Sequence, residues 1–121
     1  MKNKKKLIGF IAVLFLLFTG WILWGNTALM VTELTIKNDK IPSGFSGFRI
    51  AQISDLHNAE FGKKNEKLLF MLKECGPDII LITGDLIDSR RTDIDIGISF
   101  AKKAAMIAST YYVSGNHEAR I

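Results

Sequence analysis

The chain has 121 residues, of which 48% are hydrophobic, and a formal net charge of +4. This length allows one small domain, and the single cysteine, Cys75, excludes an internal disulfide. Twelve of the sixteen basic residues are balanced by the twelve acidic ones. Because nucleic-acid binding needs a basic face in the folded part, the pattern argues against such a partner. The excess charge lies in the lysines at the N-terminus: Lys2, Lys4, Lys5 and Lys6.

A long apolar segment follows these lysines. No charged residue occurs from Leu7 to Thr32, and the stretch from Leu7 to Trp24 is dense in Leu, Ile, Phe and Trp. About twenty apolar residues in a helix span the roughly 30 Å of a bilayer core. Trp21 and Trp24 lie near the far end, where indole rings favour the interface. We therefore predict that residues 1–30 form a basic tip and a transmembrane anchor.

The same segment sets the expected topology. Lysines before an apolar segment hold that end in the cytoplasm, so we predict a single-pass cell-membrane protein with an extracytoplasmic remainder. A cleaved signal peptide is the alternative. The apolar run is longer than a usual signal core, and Asn26-Thr27-Ala28-Leu29 is a poor cleavage site, so an uncleaved anchor is favoured. The absence of a polar face argues against a buried core helix.

The remaining residues, 31–121, show alternating strand and helix patterns. Leu68, Leu69, Leu72 and Cys75 share one side of a predicted helix, where the thiol is expected to be a small apolar core group. Strand, helix, strand, helix, strand implies right-handed crossovers and an α/β fold with an at least partly parallel sheet. Strands are predicted at 31–37, 48–54, 78–83 and 110–113, and helices at 62–75 and 94–108.

Two of these boundaries rest on particular residues. Gly76 and Pro77 end the first helix of this part, because glycine accepts the left-handed cap and proline cannot continue the helix. The segment 78–83 is a continuous apolar run, which is typical of a strand covered on both faces. The segment 31–37 alternates apolar and polar residues, which predicts a half-buried strand.

Polar clusters follow three of the predicted strands. They are Asp55-Leu56-His57, Gly84-Asp85 and Gly115-Asn116-His117-Glu118. Each alone is compatible with an ordinary turn. In open α/β sheets, however, ligands gather beyond the carboxyl ends of the strands, so three such clusters are expected to converge. In extended chain, residues i and i+2 point the same way, so Asp55 and His57 could face one ion together.

The residue types in these clusters suit a pair of metal ions. A carboxylate such as Asp85 can bridge two cations about 3.5–4 Å apart, and sites of that kind hydrolyse phosphate esters. Asp and His together suit manganese, iron or zinc better than calcium, which prefers an all-oxygen cage. The clusters therefore predict a site for two divalent ions, Mn²⁺, Fe²⁺ or Zn²⁺.

Taken in order, the three clusters resemble the opening signature of the calcineurin-like metallophosphoesterases. The likeness extends to the flanking residues and covers about residues 45–121. It implies the first half of an αββα sandwich, with 31–121 as an incomplete phosphoesterase domain. The anchor, short strand and core further resemble a bacterial membrane-associated branch that includes UDP-diacylglucosamine hydrolases. The likeness thus implies a phosphoester or pyrophosphate substrate, with lipid-linked ones among the candidates, and it names no protein partner.

The resemblance also implies a role for each position. Asp55 and His57 would bind the first metal, Asp85 would bridge both, and Asn116 would bind the second. His117 would contact the phosphoryl group and assist departure of the leaving oxygen, while a hydroxide held between the metals attacks phosphorus in line. Glu118 has no settled role, and a supporting task is favoured over catalysis.

The chain also departs from the family pattern. The family has a further histidine and a Gly-His-x-His motif, whereas the histidines here are His57 and His117. We therefore expect this chain to be an N-terminal fragment that is weak or inactive by itself. The alternative is a non-catalytic, membrane-tethered remnant that acts through protein interaction.

Overall fold

The structure is a computed structural model that describes residues 2–121, with side chains for residues 4–25 and 28–121. Contacts divide the chain between Met30 and Val31 into two compact units. The first contains a single helix, α1, at Lys2–Thr27. Within it, Lys4–Gly25 has a mean hydropathy of 2.4 and none of its most apolar window is buried. At about 1.5 Å per residue, α1 is long and apolar enough to cross a membrane.

The second unit is built on a parallel sheet. Its three strands lie in the order β1-β2-β3, with both neighbouring pairs parallel. A helix lies between each pair of consecutive strands, as parallel pairing requires. The α/β fold class with a parallel sheet is therefore confirmed. The strands are β1 (Ile50–Ile53), β2 (Ile79–Thr83) and β3 (Ser109–Val113), and the helices are α2 (Glu66–Glu74) and α3 (Ile94–Ala105).

One face of the sheet carries the core. Ile80 and Ile82 of β2 are 0% and 1% exposed. They lie in one cluster with Leu72 of α2 and with Phe100 and Ala104 of α3. Burying such a side chain stabilises a fold by about 1.5–3 kcal/mol, so this face anchors the sheet.

The other face of the sheet is open, which differs from the prediction for β2. Ile79 and Leu81 are only half-buried, so the apolar run is covered completely on one face rather than two. On β3, Tyr111 and Val113 are 59% and 66% exposed. A continuous apolar run indicates that burial of either face of the strand would be favourable. It does not indicate which part of the molecule covers each face. Both helices here pack on the same face.

The predicted strand at 31–37 is wrong, because those residues have no regular secondary structure. Leu34 and Ile36 are 84% and 73% exposed, so the alternating pattern buries nothing. Alternation marks a segment that could pair with a sheet edge, but it stabilises a strand only when a partner edge accepts it. Among the described residues, the sheet contains β1, β2 and β3 alone.

The helix predicted at 62–75 begins later than its apolar pattern. Gly62, Lys64 and Asn65 have φ values of 77°, 53° and 62°, which are left-handed and interrupt the helix before Glu66. Asn65 is 1% exposed, and its Oδ1 accepts a hydrogen bond from the Phe61 backbone N–H at 2.9 Å. A buried polar turn therefore precedes α2, and the hydrophobic period alone could not locate it.

Candidate metal centre

The predicted polar clusters follow β1, β2 and β3. The loops that carry them contact one another beyond the carboxyl ends of the strands. The loop after β2 lies between the other two, as the strand order requires. Its carbonyl groups accept backbone hydrogen bonds from the loop after β1, which continues the strand pairing past the end of β1. The bonds are Asp55 N–H to Gly84 C=O (3.1 Å), His57 N–H to Asp85 C=O (2.9 Å) and Asn58 N–H to Leu86 C=O (3.1 Å).

Left-handed backbone is concentrated in these loops. Asp55, His57 and Asn58 have φ values of 56°, 47° and 59°, and Asp85 has a φ of 50°. Asp, Asn and His tolerate this region better than other residues with a Cβ, but it still costs free energy. Asp55 and His57 are thus not in extended chain, and the geometric premise that they face one ion as i and i+2 does not hold.

Two glycines allow the tips of β2 and β3 to touch. A Cβ on Gly84, which has a φ of 96°, would lie 2.9 Å from the Gly115 Cα atom. A Cβ on Gly115 would lie 2.2 Å from Asp85 Oδ1. Both positions therefore need glycine because another part of the backbone passes too close for a side chain.

His57, Asp85 and His117 form a close group of three potential metal ligands. One ligand atom from each lies within 4.8 Å of the other two. The two imidazole rings meet edge to face, with centroids 4.4 Å apart. Asp85 is 8% exposed, and its Oδ1 accepts a hydrogen bond from the His117 backbone N–H at 2.8 Å. One carboxylate and imidazole nitrogens suit Mn²⁺, Fe²⁺ or Zn²⁺, so the donor set fits a divalent ion.

The other two predicted ligands, Asp55 and Asn116, are more exposed than the group of three. The Asp55 side chain is 66% exposed, and its Oδ1 lies 3.8 Å from His57 Nε2. It also contacts the Ser54 hydroxyl. Asn116 is exposed and lies between Gly115 and His117 in the chain. Both remain predicted ligands, next in sequence or space to the group of three.

Glu118, whose role the sequence left unsettled, accepts hydrogen bonds from three backbone N–H groups. Its Oε2 accepts from the backbone N–H groups of Asp85 (3.0 Å) and Gly115 (2.9 Å), and its Oε1 accepts from that of Ile87 (3.0 Å). Burial opposes ionisation of this carboxyl group, but the backbone donors outweigh it and lower the pKa of Glu118 to about 2. Glu118 is therefore a carboxylate at neutral pH.

Asp88 and Ser89 lie against the His117 ring. Asp88, 7% exposed, places its Oδ1 3.4 Å from His117 Nδ1. A hydrogen bond from the Arg90 backbone N–H, aided by the charges of Arg90 and His117, holds the pKa of Asp88 below its usual value despite burial. The Ser89 backbone N–H donates a hydrogen bond to the same Nδ1 at 3.3 Å, and the Ser89 hydroxyl lies 3.3 Å from it. Asp88 was missed in the sequence, although it lies three residues after Asp85 and could have been read as part of that cluster.

Comparison with known proteins places this arrangement in a family. The sequence profile of the Calcineurin-like phosphoesterase family matches residues 48–121. The uncharacterized metallophosphoesterase YkuE of Bacillus subtilis is 41% identical over 63 residues, 50% of this chain and 22% of that protein. An uncharacterized metallophosphoesterase of Campylobacter jejuni is 30% identical over 95 residues, 77% of this chain and 25% of that protein.

A vertebrate relative also has a name that mentions a membrane. A transmembrane protein with metallophosphoesterase domain from Danio rerio is 28% identical over 90 residues, 73% of this chain and 21% of that protein. The chain thus spans about a quarter or less of the length of these relatives. No solved structure matches it.

Proposed function

Since the chain belongs to the calcineurin-like phosphoesterase family, we propose that the loops after β1, β2 and β3 bind divalent metal and take part in hydrolysis of a phosphoester. The observation that carries the proposal is the convergence of His57, Asp85 and His117 to within 4.8 Å. Family membership supports a phosphoester hydrolase that uses divalent metals. The residue assignments and the substrate are ours.

We assign metal binding to Asp55, His57, Asp85 and Asn116. Divalent ions bound there would act as Lewis acids toward the phosphoryl oxygens and lower the pKa of water. The chain's own contribution is to hold the donors in place. Asp85 is fixed by its left-handed turn and by the His117 backbone N–H, and the His57 loop is fixed to Asp85 by a 2.9 Å backbone bond.

His117 is assigned to the leaving group rather than to a metal. Its Nδ1 accepts a hydrogen bond from the Ser89 backbone N–H at 3.3 Å and lies 3.4 Å from the Asp88 carboxylate, and these contacts hold the ring in place. With Nδ1 as the acceptor, the ring proton lies on Nε2, from which it can pass to the departing oxygen. The ring is also close enough to His57 and Asp85 to be a ligand, so the two roles call for a direct test.

Further details of the proposal concern the substrate and location. The apolar helix α1 and the relatives named as transmembrane proteins support membrane association. We propose a cytoplasmic N-terminus, an extracytoplasmic phosphoesterase part, and a lipid-linked phosphoester or pyrophosphate such as that of UDP-diacylglucosamine as one substrate class. We also propose that the 121 residues by themselves hydrolyse substrate slowly. The described residues bring together only three close potential ligands, which are few for two metal ions.

The open face of the sheet favours a second candidate function. Ile50, Tyr111 and Val113 are all more than half exposed on it. A tethered protein that binds a partner through this face, without catalysis, would explain the exposure. It predicts that loss of the metal donors leaves function unchanged, so the assay below separates the two candidates.

The test uses two aryl phosphodiesters that differ in the pKa of their leaving group, bis(p-nitrophenyl) phosphate and diphenyl phosphate. The chain in detergent micelles with Mn²⁺ should release phenol slowly, and Asp85→Asn should abolish the release, while Asp39→Asn, an exposed control, should not. If His117 protonates the leaving oxygen, His117→Asn will slow the phenyl ester more than the nitrophenyl ester. Equal rates for the chain and Asp85→Asn would contradict the proposed function, and equal losses for the two esters would contradict the role of His117.

A further inference from the structure

The loop after β2 has hydrogen-bond partners on both sides: the backbone of a neighbouring loop on one side and a side chain on the other. Its carbonyl groups at Gly84, Asp85 and Leu86 accept from the loop after β1. Its amide groups at Asp85 and Ile87 point the other way and donate to the carboxylate of Glu118. Glu118 thus occupies the place where the next strand would supply acceptors.

The same carboxylate also holds the tip of β3. Oε2 of Glu118 accepts from Asp85 N–H and Gly115 N–H together, at 3.0 and 2.9 Å. These two amides belong to the loops after β2 and β3, so one oxygen links the two loops. Charge-assisted hydrogen bonds of this length are about twice as strong as neutral ones. The contact is close, since a Cβ on Gly115 would lie 2.4 Å from the Asp85 nitrogen.

The conformation of Asp85 is the feature that this contact stabilises. Asp85 has a φ of 50°, a conformation that a residue with a Cβ adopts only when its surroundings compensate the cost. Its N–H is held by Glu118, its C=O by His57 N–H, and its Oδ1 by His117 N–H. Only the first of these partners is a side chain, and it is therefore the one that a substitution can remove.

We infer that Glu118 is a positioning residue that holds Asp85 in its left-handed turn, so that the Asp85 carboxylate meets His57 and His117. The inference rests on the proposed metal centre for its consequence, but the turn itself exists without metal. Glu118 touches neither substrate nor metal in this account. Its loss should weaken divalent-ion binding by about 10- to 100-fold, as loss of groups that orient ligands does.

Two variants grade the effect. Glu118→Ala removes all three acceptor contacts. Glu118→Gln keeps one carbonyl oxygen, which can still accept from the two amides that share Oε2. Its NH₂ group, however, would face the Ile87 N–H, which is also a donor. We expect Mn²⁺ affinity to fall in the order parent chain, Glu118→Gln, Glu118→Ala. Glu74→Gln, on the exposed end of α2, is the matched control and should bind like the parent.

The experiment has a metal-free and a metal-bound reading, both on the full chain in detergent micelles. With chelator present, NMR should show the Asp85 Cα shift and H^N–Hα coupling of a positive φ in the parent and in Glu74→Gln, reduced in Glu118→Gln and lost in Glu118→Ala. Mn²⁺ affinity from the free-ion EPR signal should fall in the same order. The β1 and α3 amide signals, unchanged in Glu118→Gln, would show that the fold persists.

The outcomes separate the two claims. An Asp85 turn that survives in Glu118→Ala, or Mn²⁺ affinity within twofold of the parent, overturns the positioning role. If the turn is lost but the parent chain and Asp85→Asn bind Mn²⁺ alike, the hold of Glu118 on Asp85 is supported and the proposed metal centre fails.

Discussion

Gly115 lies at the contact between the tips of β2 and β3, and its replacement by alanine perturbs that contact directly. The added Cβ would lie 2.2 Å from Asp85 Oδ1 and 2.4 Å from the Asp85 backbone nitrogen. The side-chain contact could be relieved by rotation about χ1. Side-chain rotation does not move the Asp85 nitrogen, because it is a backbone atom, and its N–H is also bonded to Glu118. We therefore expect Gly115→Ala to force the two tips apart.

The size of the effect follows from the cheapest relaxation. Overpacking costs about 1–3 kcal/mol, and separating the tips also sacrifices a hydrogen bond to a charged group, worth about 1.5–3 kcal/mol. Because the steric partner is backbone, we take about 3 kcal/mol as the expected loss in the free energy of local opening. At about 1.4 kcal/mol per factor of ten, this is a roughly 150-fold change in the opening equilibrium.

Hydrogen exchange followed by mass spectrometry measures this equilibrium in peptides that cover 79–90 and 109–121. Exchange in both peptides should accelerate by about 150-fold in Gly115→Ala if local opening controls it. Gly44→Ala is the matched control, because a Cβ there meets nothing within 4 Å. Exchange in Gly115→Ala within about threefold of the parent would refute the reasoning, since it would mean that the two tips are not in contact.

Two other predictions address the core and the charge of the Glu118 site. Phe100→Ala removes a side chain that is 1% exposed and should lower the free energy of unfolding by about 3–5 kcal/mol. In chemical denaturation, the control Phe70→Ala, at a site 64% exposed, should change it by about 0.5 kcal/mol or less, and equal losses would contradict the assigned core. Burial, followed by the charge of Glu118, raises the pKa of Tyr112, so absorbance at 295 nm should show this phenol ionising at lower pH in Glu118→Gln. Tyr112→Phe identifies its signal, and an unchanged midpoint would place the carboxylate away from the ring.

The sequence was sufficient for those features that depend on local chemistry. The alternation of apolar runs with turn residues located β1, β2, β3 and the helices between them. The Gly76-Pro77 pair marked the end of α2, and Gly76 does have a left-handed φ of 56°. The strand-helix-strand pattern predicted an at least partly parallel sheet, and both neighbouring pairs are parallel.

What the sequence could not give depends on contacts between distant segments. The segment 31–37 has the alternation of a strand, but no edge of the sheet pairs with it. Asp55 and His57 were expected in extended chain, yet both adopt left-handed φ because their loop pairs with the loop after β2.

The supporting contacts of the site were missed for the same reason. No sequence pattern marks Glu118 as an acceptor, because its three backbone donors lie up to 33 residues away in the chain. Asp88 becomes visible as a partner of His117 only once β2 and β3 are neighbours. Residue types can indicate which side chains bind a metal. The groups that hold those side chains in place can be identified only from the contacts in the folded chain.

The central claim is that imidazole and carboxylate groups at the ends of the strands bind a divalent ion, and pulsed EPR of Mn²⁺ tests it most directly. Mn²⁺ bound to the chain in micelles should show coupling to an imidazole ¹⁴N nucleus, and His57→Ala should remove or weaken that coupling. Asp85→Asn should weaken binding at least about tenfold, while Asp39→Asn should bind as the parent does. Bound Mn²⁺ without nitrogen coupling, or binding that neither His57→Ala nor Asp85→Asn alters, would contradict the account.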